Sequence, residues 1–231
     1  MIRGLVFDFD GLMVDTEAPA LESWVEIYKD YGCDFPVALW SLNLGGSGKE
    51  FDACAYLIEQ IGQSLDSSII RARRWKRKLE LVEGQPLLPG VNAYIIAAKE
   101  LGLRLGVASS NTHEWVAGHL ERLGVLNLFD TIVTANDVTH VKPDPEIYLT
   151  AVARLEVEPE QAVALEDAPN GLLAASRAGL FCVAIPNPLT RELPLDHADL
   201  LLTSLADVPL EELLAMVVAR RHEMSNGSAR S

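Results

Sequence analysis

The sequence predicts an α/β fold: a parallel sheet with helices on both faces, interrupted after its first strand by a helical insert. Two patterns lead there. Short apolar runs alternate with longer helical stretches, and the runs are continuous rather than alternating in polarity, as strands buried on both faces require. Strand, helix, strand, repeated, gives parallel pairing with right-handed crossovers.

The elements follow in order. Leu5-Val6-Phe7 and the stretches 103–108, 131–134, 162–165 and 182–185 read as strands, with helices at 91–101, 113–123, 145–155 and 170–178. Pro145 suits a first helical position, and Gly102, Gly124 and Gly179 stand where helices would stop. Residues 16–83 break the rhythm, with helical patterns at 20–31, 50–61 and 66–82 and no good strand. The chain returns to the first pattern near Gly84 and the turn residues Pro86, Pro89 and Gly90. A last helix is expected from 209 to about 221, and 225–231 reads as a disordered tail. The expected organisation is therefore a core of residues 1–15 and 84–224 with an insert of residues 16–83.

Composition excludes several classes. The chain has 231 residues, 49% hydrophobic and 23% charged, enough to bury a core. With 19 Lys+Arg against 33 Asp+Glu, the formal charge of −14 argues against nucleic acid or anionic membrane as partners. The one basic run, Arg71, Arg73, Arg74, Lys76, Arg77 and Lys78, is expected to be a solvated helix face, with Ala72, Trp75, Leu79 and Val82 buried behind it. Cys33, Cys54 and Cys182 are too far apart for a metal or disulfide framework. Neither a signal peptide nor an apolar run of about 18 residues is readable, so a cytoplasmic, monomeric protein is the expectation.

In an open parallel sheet the binding crevice lies beyond the carboxyl ends of the strands. Polar residues directly after apolar runs are therefore the functional candidates: Asp8 and Asp10, Ser109, Lys142, and Glu166-Asp167. Four carboxylates at one edge repel one another, and a single lysine cannot neutralise them. A divalent cation is implied, and oxygen donors without matching His or Cys favour Mg²⁺. A carboxylate nucleophile beside that ion suits phosphoryl transfer. Singly, each candidate has a plain alternative: a turn at Asp8-x-Asp10, a helix cap at Ser109 or Glu166-Asp167, an exposed loop lysine at Lys142. Jointly, those alternatives require four coincidences at one sheet edge.

These residues also carry a resemblance. Asp8-Phe9-Asp10-Gly11-Leu12-Met13-Val14-Asp15-Thr16-Glu17, Val107-Ala108-Ser109-Ser110-Asn111, Val141-Lys142-Pro143-Asp144-Pro145 and Leu165-Glu166-Asp167-Ala168-Pro169-Asn170-Gly171 resemble, in order, the four motifs of the haloacid dehalogenase-like phosphatases. The resemblance implies a Rossmann-like core with a small all-helical cap in the insert. It implies that Asp8 is the nucleophile forming an aspartyl-phosphate, and that Asp10 is the acid and then the base. Ser109 and Lys142 would hold the phosphoryl group, with Ser110 and Asn111 toward substrate. Asp8, the backbone carbonyl of Asp10 and Asp167 would bind Mg²⁺, with Glu166 a further ligand or an outer partner. Asp15 would serve structure or a hinge.

Within the family the chain is most similar to the β-phosphoglucomutase-like branch, which holds phosphatases and sugar phosphomutases. The mutases carry a His early in the cap where this chain has Glu17-Ala18-Pro19-Ala20-Leu21, so water is the expected acceptor. The expected activity is hydrolysis of a small phosphorylated metabolite, a sugar phosphate or nucleotide. A phosphomutase and a non-catalytic phosphate binder are the alternatives. Gly45-Gly46-Ser47-Gly48-Lys49 lacks the first Gly and the final Ser or Thr of a Walker loop. It resembles instead a cap loop from which Lys49 would meet an anionic substrate, a plain helix-joining turn being the other reading. The five His residues, 113, 119, 140, 197 and 222, show no ligand spacing.

Overall fold

Every residue of strand β1 (Gly4–Phe7) is buried, because Leu5 and Phe7 enter one apolar layer and Val6 the other. In the computed structural model, which describes residues 1–40 and 51–228, this strand lies inside the sheet between β2 (Arg104–Ala108) and β4 (Ala162–Glu166). β3 (Thr131–Val133), β5 (Phe181–Ala184) and β6 (Leu200–Leu201) complete it in the order β3-β2-β1-β4-β5-β6, all parallel. The order reverses direction at β1, which places the ligand crevice beyond Phe7.

Two layers of side chains flank the sheet. Helices α5 (Val91–Glu100), α6 (His113–Arg122) and α9 (Leu210–Ser228) cover one face with Ile95, Leu120 and Val217, against Leu5, Leu105 and Leu165. Helices α7 (Glu146–Arg154) and α8 (Pro169–Arg177) cover the other, where Ala108, Ala162, Ala164 and Ala184 make a flatter surface under Tyr148 and Leu172. The expected α/β core is therefore present.

The insert is helical: α1 (Glu17–Asp30), the single turn α2 (Val37–Trp40), α3 (Ala53–Ile61) and α4 (Ser67–Glu83). It has its own small core of Trp24, Ile27, Tyr28, Cys54, Leu57 and Ile70, separate from both sheet layers. Asp52 and Asp66 cap α3 and α4 by accepting backbone N–H bonds. Helix α1 starts earlier than the expected residue 20 because Asp15 accepts from the N–H groups of Glu17 and Ala18, and Pro19 falls in the first turn, where its missing N–H costs nothing.

Three expectations need correction. The burial of α4 is rotated: Ala72, Trp75 and Leu79 are exposed, and the inward stripe is Ile70, Arg74, Lys78 and Val82, spaced by four residues. Long side chains can bury their aliphatic stems while their charged heads reach polar partners, so counting Lys and Arg as solvent-facing misassigned the face. The rest of the run is a surface face as expected, with Arg71 paired to Asp52, Arg73 to Asp30 and Arg77 to Glu26. Strand β6 was not expected, being two residues long with Leu201 63% exposed. Helix α9 runs to Ser228, past the expected end near 221 and into the segment read as tail. Lys49 and its glycine-rich neighbours lie outside the described residues. No helix among the described residues is long and apolar enough to cross a membrane.

Candidate active site

Asp8 follows β1 directly and is buried, 7% exposed, with its N–H donating to Leu165. The chain then turns through Gly11, whose φ of +85° and close approach to Asp167 and Asn187 exclude a side chain. That turn brings Asp10 back over the crevice. Ser109 follows β2, Lys142 lies in the loop after β3, and Glu166-Asp167 end β4. The sequence-derived set thus converges on the carboxyl edge of neighbouring strands, as the parallel register demands.

The floor of the site is one ammonium among carboxylates. Lys142 Nζ donates to Asp8 Oδ1 at 2.5 Å, to Glu166 Oε1 at 2.6 Å and to the Ala108 carbonyl at 2.9 Å, using all three of its protons. Tyr148 also donates to Glu166 Oε1, at 2.5 Å, and the Asp167 N–H donates to Oε2 at 3.2 Å. Both oxygens of Glu166 are therefore engaged by protein groups. Its carboxylate rests against Gly171 at the start of α8, in space that any Cβ there would fill. Asn187, after β5, donates to Asp167 Oδ2 at 2.7 Å.

Oxygens of Asp8, Glu166 and Asp167 lie within 4.8 Å of one another. Burial pushes the Asp8 carboxyl up to about 8, with Glu166 and Asp10 adding to the shift and Lys142 opposing it. Burial, then Asp8 and Glu166, hold Asp167 well above the usual carboxylate range. Burial alone would pull Lys142 down, but Asp8 and Glu166 carry it above the usual lysine value. Together these directions describe a site with one fixed cation too few. An oxygen-only donor set in that state suits a divalent ion such as Mg²⁺.

Asp10 sits nearer the insert and accepts four hydrogen bonds. Oδ1 receives Thr16 Oγ1 at 2.9 Å and Trp115 Nε1 at 3.0 Å; Oδ2 receives Asn111 Nδ2 at 3.0 Å and Ser109 Oγ at 3.3 Å. Ser110 is exposed. Above Asp10 lie Glu17, raised by burial despite Lys78 and Arg74 nearby, and Lys78 itself, lowered by burial.

Sequence reasoning missed Thr16, Tyr148, Trp115, Lys78 and Asn187. Asn187 carried a usable signal, since it follows the β5 run as Asp8 follows β1. The others carried none: each sits inside a helix or its cap, where apolar periodicity or a charge run explains it equally well.

The chain matches the family of haloacid dehalogenase-like hydrolases over residues 5–185. It is 42% identical over 214 residues, 93% of this chain and 97% of the other, to YhcW of Bacillus subtilis, assigned as a phosphatase. It is 33% identical over 90% of its length, and 96% of the other's, to the validoxylamine A 7'-phosphate phosphatase of Streptomyces hygroscopicus. The crystal structure of CbbY from Rhodobacter sphaeroides in complex with phosphate superposes with a TM-score of 0.70 at 34% identity, covering 90% of this chain and 96% of that one. The chain belongs to the haloacid dehalogenase-like hydrolase family and is one of its phosphatases.

Proposed function

We propose that this enzyme is a Mg²⁺-dependent phosphomonoesterase that works through an aspartyl-phosphate on Asp8 and takes a small phosphorylated metabolite, a sugar phosphate or nucleotide. One observation carries the reading: a buried carboxylate held by Lys142 at the sheet's switch point, with a second carboxylate two residues on that shares the phosphate-side donors Ser109 and Asn111.

Asp8 Oδ1 is bonded to Lys142, while Oδ2 faces no donor among the described residues, so the carboxylate can attack phosphorus in line. The P–O bond to the leaving group breaks as Asp10 gives that oxygen its proton. Asp10 then takes a proton from water, whose oxygen attacks the phosphoryl group; the Asp8–phosphoryl bond breaks and Asp8 returns as a carboxylate with free phosphate. Ser109 and Asn111 hold the phosphoryl oxygens, and the Lys142 ammonium, its three protons spent on the protein, adds fixed positive charge beside them, so the charge that develops is met by groups already in place. Asp8, Asp167 and the Asp10 carbonyl would hold Mg²⁺, which would neutralise phosphoryl charge. Glu166, with both oxygens engaged, acts from outside that ligand set by fixing Lys142.

Water rather than a second sugar is the acceptor in this reading, because the first turn of α1, Glu17 to Leu21, carries no His, and apart from Thr16 at the junction the donors on Asp10 come from the core. A small phosphorylated metabolite fits what the Streptomyces relative is named for, validoxylamine A 7'-phosphate. The test is phosphate release from sugar phosphates, nucleotides and an aryl phosphate, with Mg²⁺ and with chelator, beside Asp8→Asn. Release dependent on both Mg²⁺ and Asp8 supports the reading; release that survives Asp8→Asn sinks it.

A further inference from the structure

We propose that Trp115 is a positioning residue for Asp10, and that Lys78 of the cap engages Trp115 so that the acid is set only when α4 lies against the core. The proposal rests on Asp10 being the acid and base of the reaction.

The four donors on Asp10 divide by oxygen. Oδ2 is held by Ser109 and Asn111, the groups that would take up phosphoryl oxygens. When substrate draws them away, Oδ2 loses both donors and becomes the oxygen able to carry a proton toward the leaving group. Oδ1 keeps Thr16 and Trp115. The Thr16 hydroxyl can rotate, and the residue lies where the core chain passes into the cap. The Trp115 indole N–H cannot rotate independently of its ring and can only donate. That ring is 8% exposed and packs edge-on against His119 at 4.5 Å. It therefore fixes which way Oδ2 points.

The same indole is the cap's landing place. Lys78 Nζ lies 4.9 Å from the Trp115 ring centre, and Trp75, also on α4, lies 5.6 Å from it. Lys78 is 9% exposed and donates no hydrogen bond to any described residue, so its ammonium meets ring faces and the nearby charges of Asp10 and Glu17. A desolvated ammonium over an indole is attracted by the ring's negative face and polarises the ring, strengthening the N–H bond to Asp10. When α4 leaves, that polarisation leaves with it.

The leaving group distinguishes this from simple packing. An aliphatic alkoxide needs Asp10's proton in the first step, whereas p-nitrophenolate leaves without it. In Trp115→Phe, kcat/KM is expected to fall about tenfold or more on a sugar phosphate and less than about threefold on p-nitrophenyl phosphate, within the range general acid catalysis supplies. Lys78→Met is expected to show the same bias, smaller, without touching the core. The ¹⁵N-indole resonance of Trp115 is expected to move in both Lys78→Met and Asp10→Asn. Equal losses on the two substrates, no loss, or an unmoved resonance overturns the proposal. Equal losses in Asp10→Asn would instead remove the acid–base reading beneath it, leaving the resonance to report the contact alone.

Discussion

Lys142 and Lys78 are both buried at the same crevice, and they are held in opposite ways. Lys142 donates all three protons to oxygens of the core, two of them carboxylates, while Lys78 donates none to any described residue and lies over two indole rings. The difference matches the bodies that carry them. The lysine of the sheet edge is locked there by charge and geometry. The lysine of the insert uses contacts that carry little directional demand, so the departure of α4 proposed above would break no ion pair of Lys78 with a described residue.

The sharpest break in the comparison is at its centre. Asp8→Asn is expected to lower phosphate release by about a thousandfold or more, and no acid-stable phosphoenzyme should be trapped. Next is the lysine contrast itself. Lys142→Met leaves Asp8 and Glu166 buried without their counter-ion and is expected to cost about 3–5 kcal/mol by denaturant unfolding, whereas Lys78→Met should stay within about 1 kcal/mol of wild type. Equal destabilisation would erase the distinction drawn above.

A smaller effect probes the metal side of the floor. Asn187→Ala removes the donor that orients Asp167, so Mg²⁺ affinity is expected to fall about 10- to 100-fold, read by titration of activity, with the fold intact. The last prediction concerns pH. The folded-state value of Asp8 is raised above its unfolded value, so the metal-free protein binds more protons folded than unfolded between them. Its stability is therefore complete below the unfolded value near 4 and is lost as pH rises through about 8. Thermal melts in chelator should fall in temperature over that window, and Mg²⁺ should restore more stability at pH 8 than at pH 5. A flat metal-free profile would contradict the charge imbalance at the floor.

Legibility in the sequence followed the same division. Asp8 and Glu166-Asp167 were readable because each stands next to a continuous apolar run, and Lys142 because it lies in the loop that follows one; parallel register carries the ends of those runs to one edge. Ser109 was readable for the same reason, and Asn111 only through its place in the second motif. The buried face of helix α4 was not, because Ile70 and Val82 share it with the charged Arg74 and Lys78, and hydrophobic periodicity counts those as outward. Trp75 and Leu79 satisfied the periodicity and are exposed. Tyr148 reaches Glu166 from the first turn of α7, where an aromatic is indistinguishable from core.

By itself the sequence determined the strand and helix alternation, the insert and the carboxylates with their lysine, since all of these depend on local period and on position relative to a strand. Only the tertiary structure decided which lysine is bonded to carboxylates and which lies over indole rings, which oxygen of Asp10 each donor takes, and that Glu166 spends both oxygens on the protein. Those outcomes depend on the distance and direction between side chains far apart in the chain, and a hydrogen bond is lost over a few tenths of an ångström and a few tens of degrees.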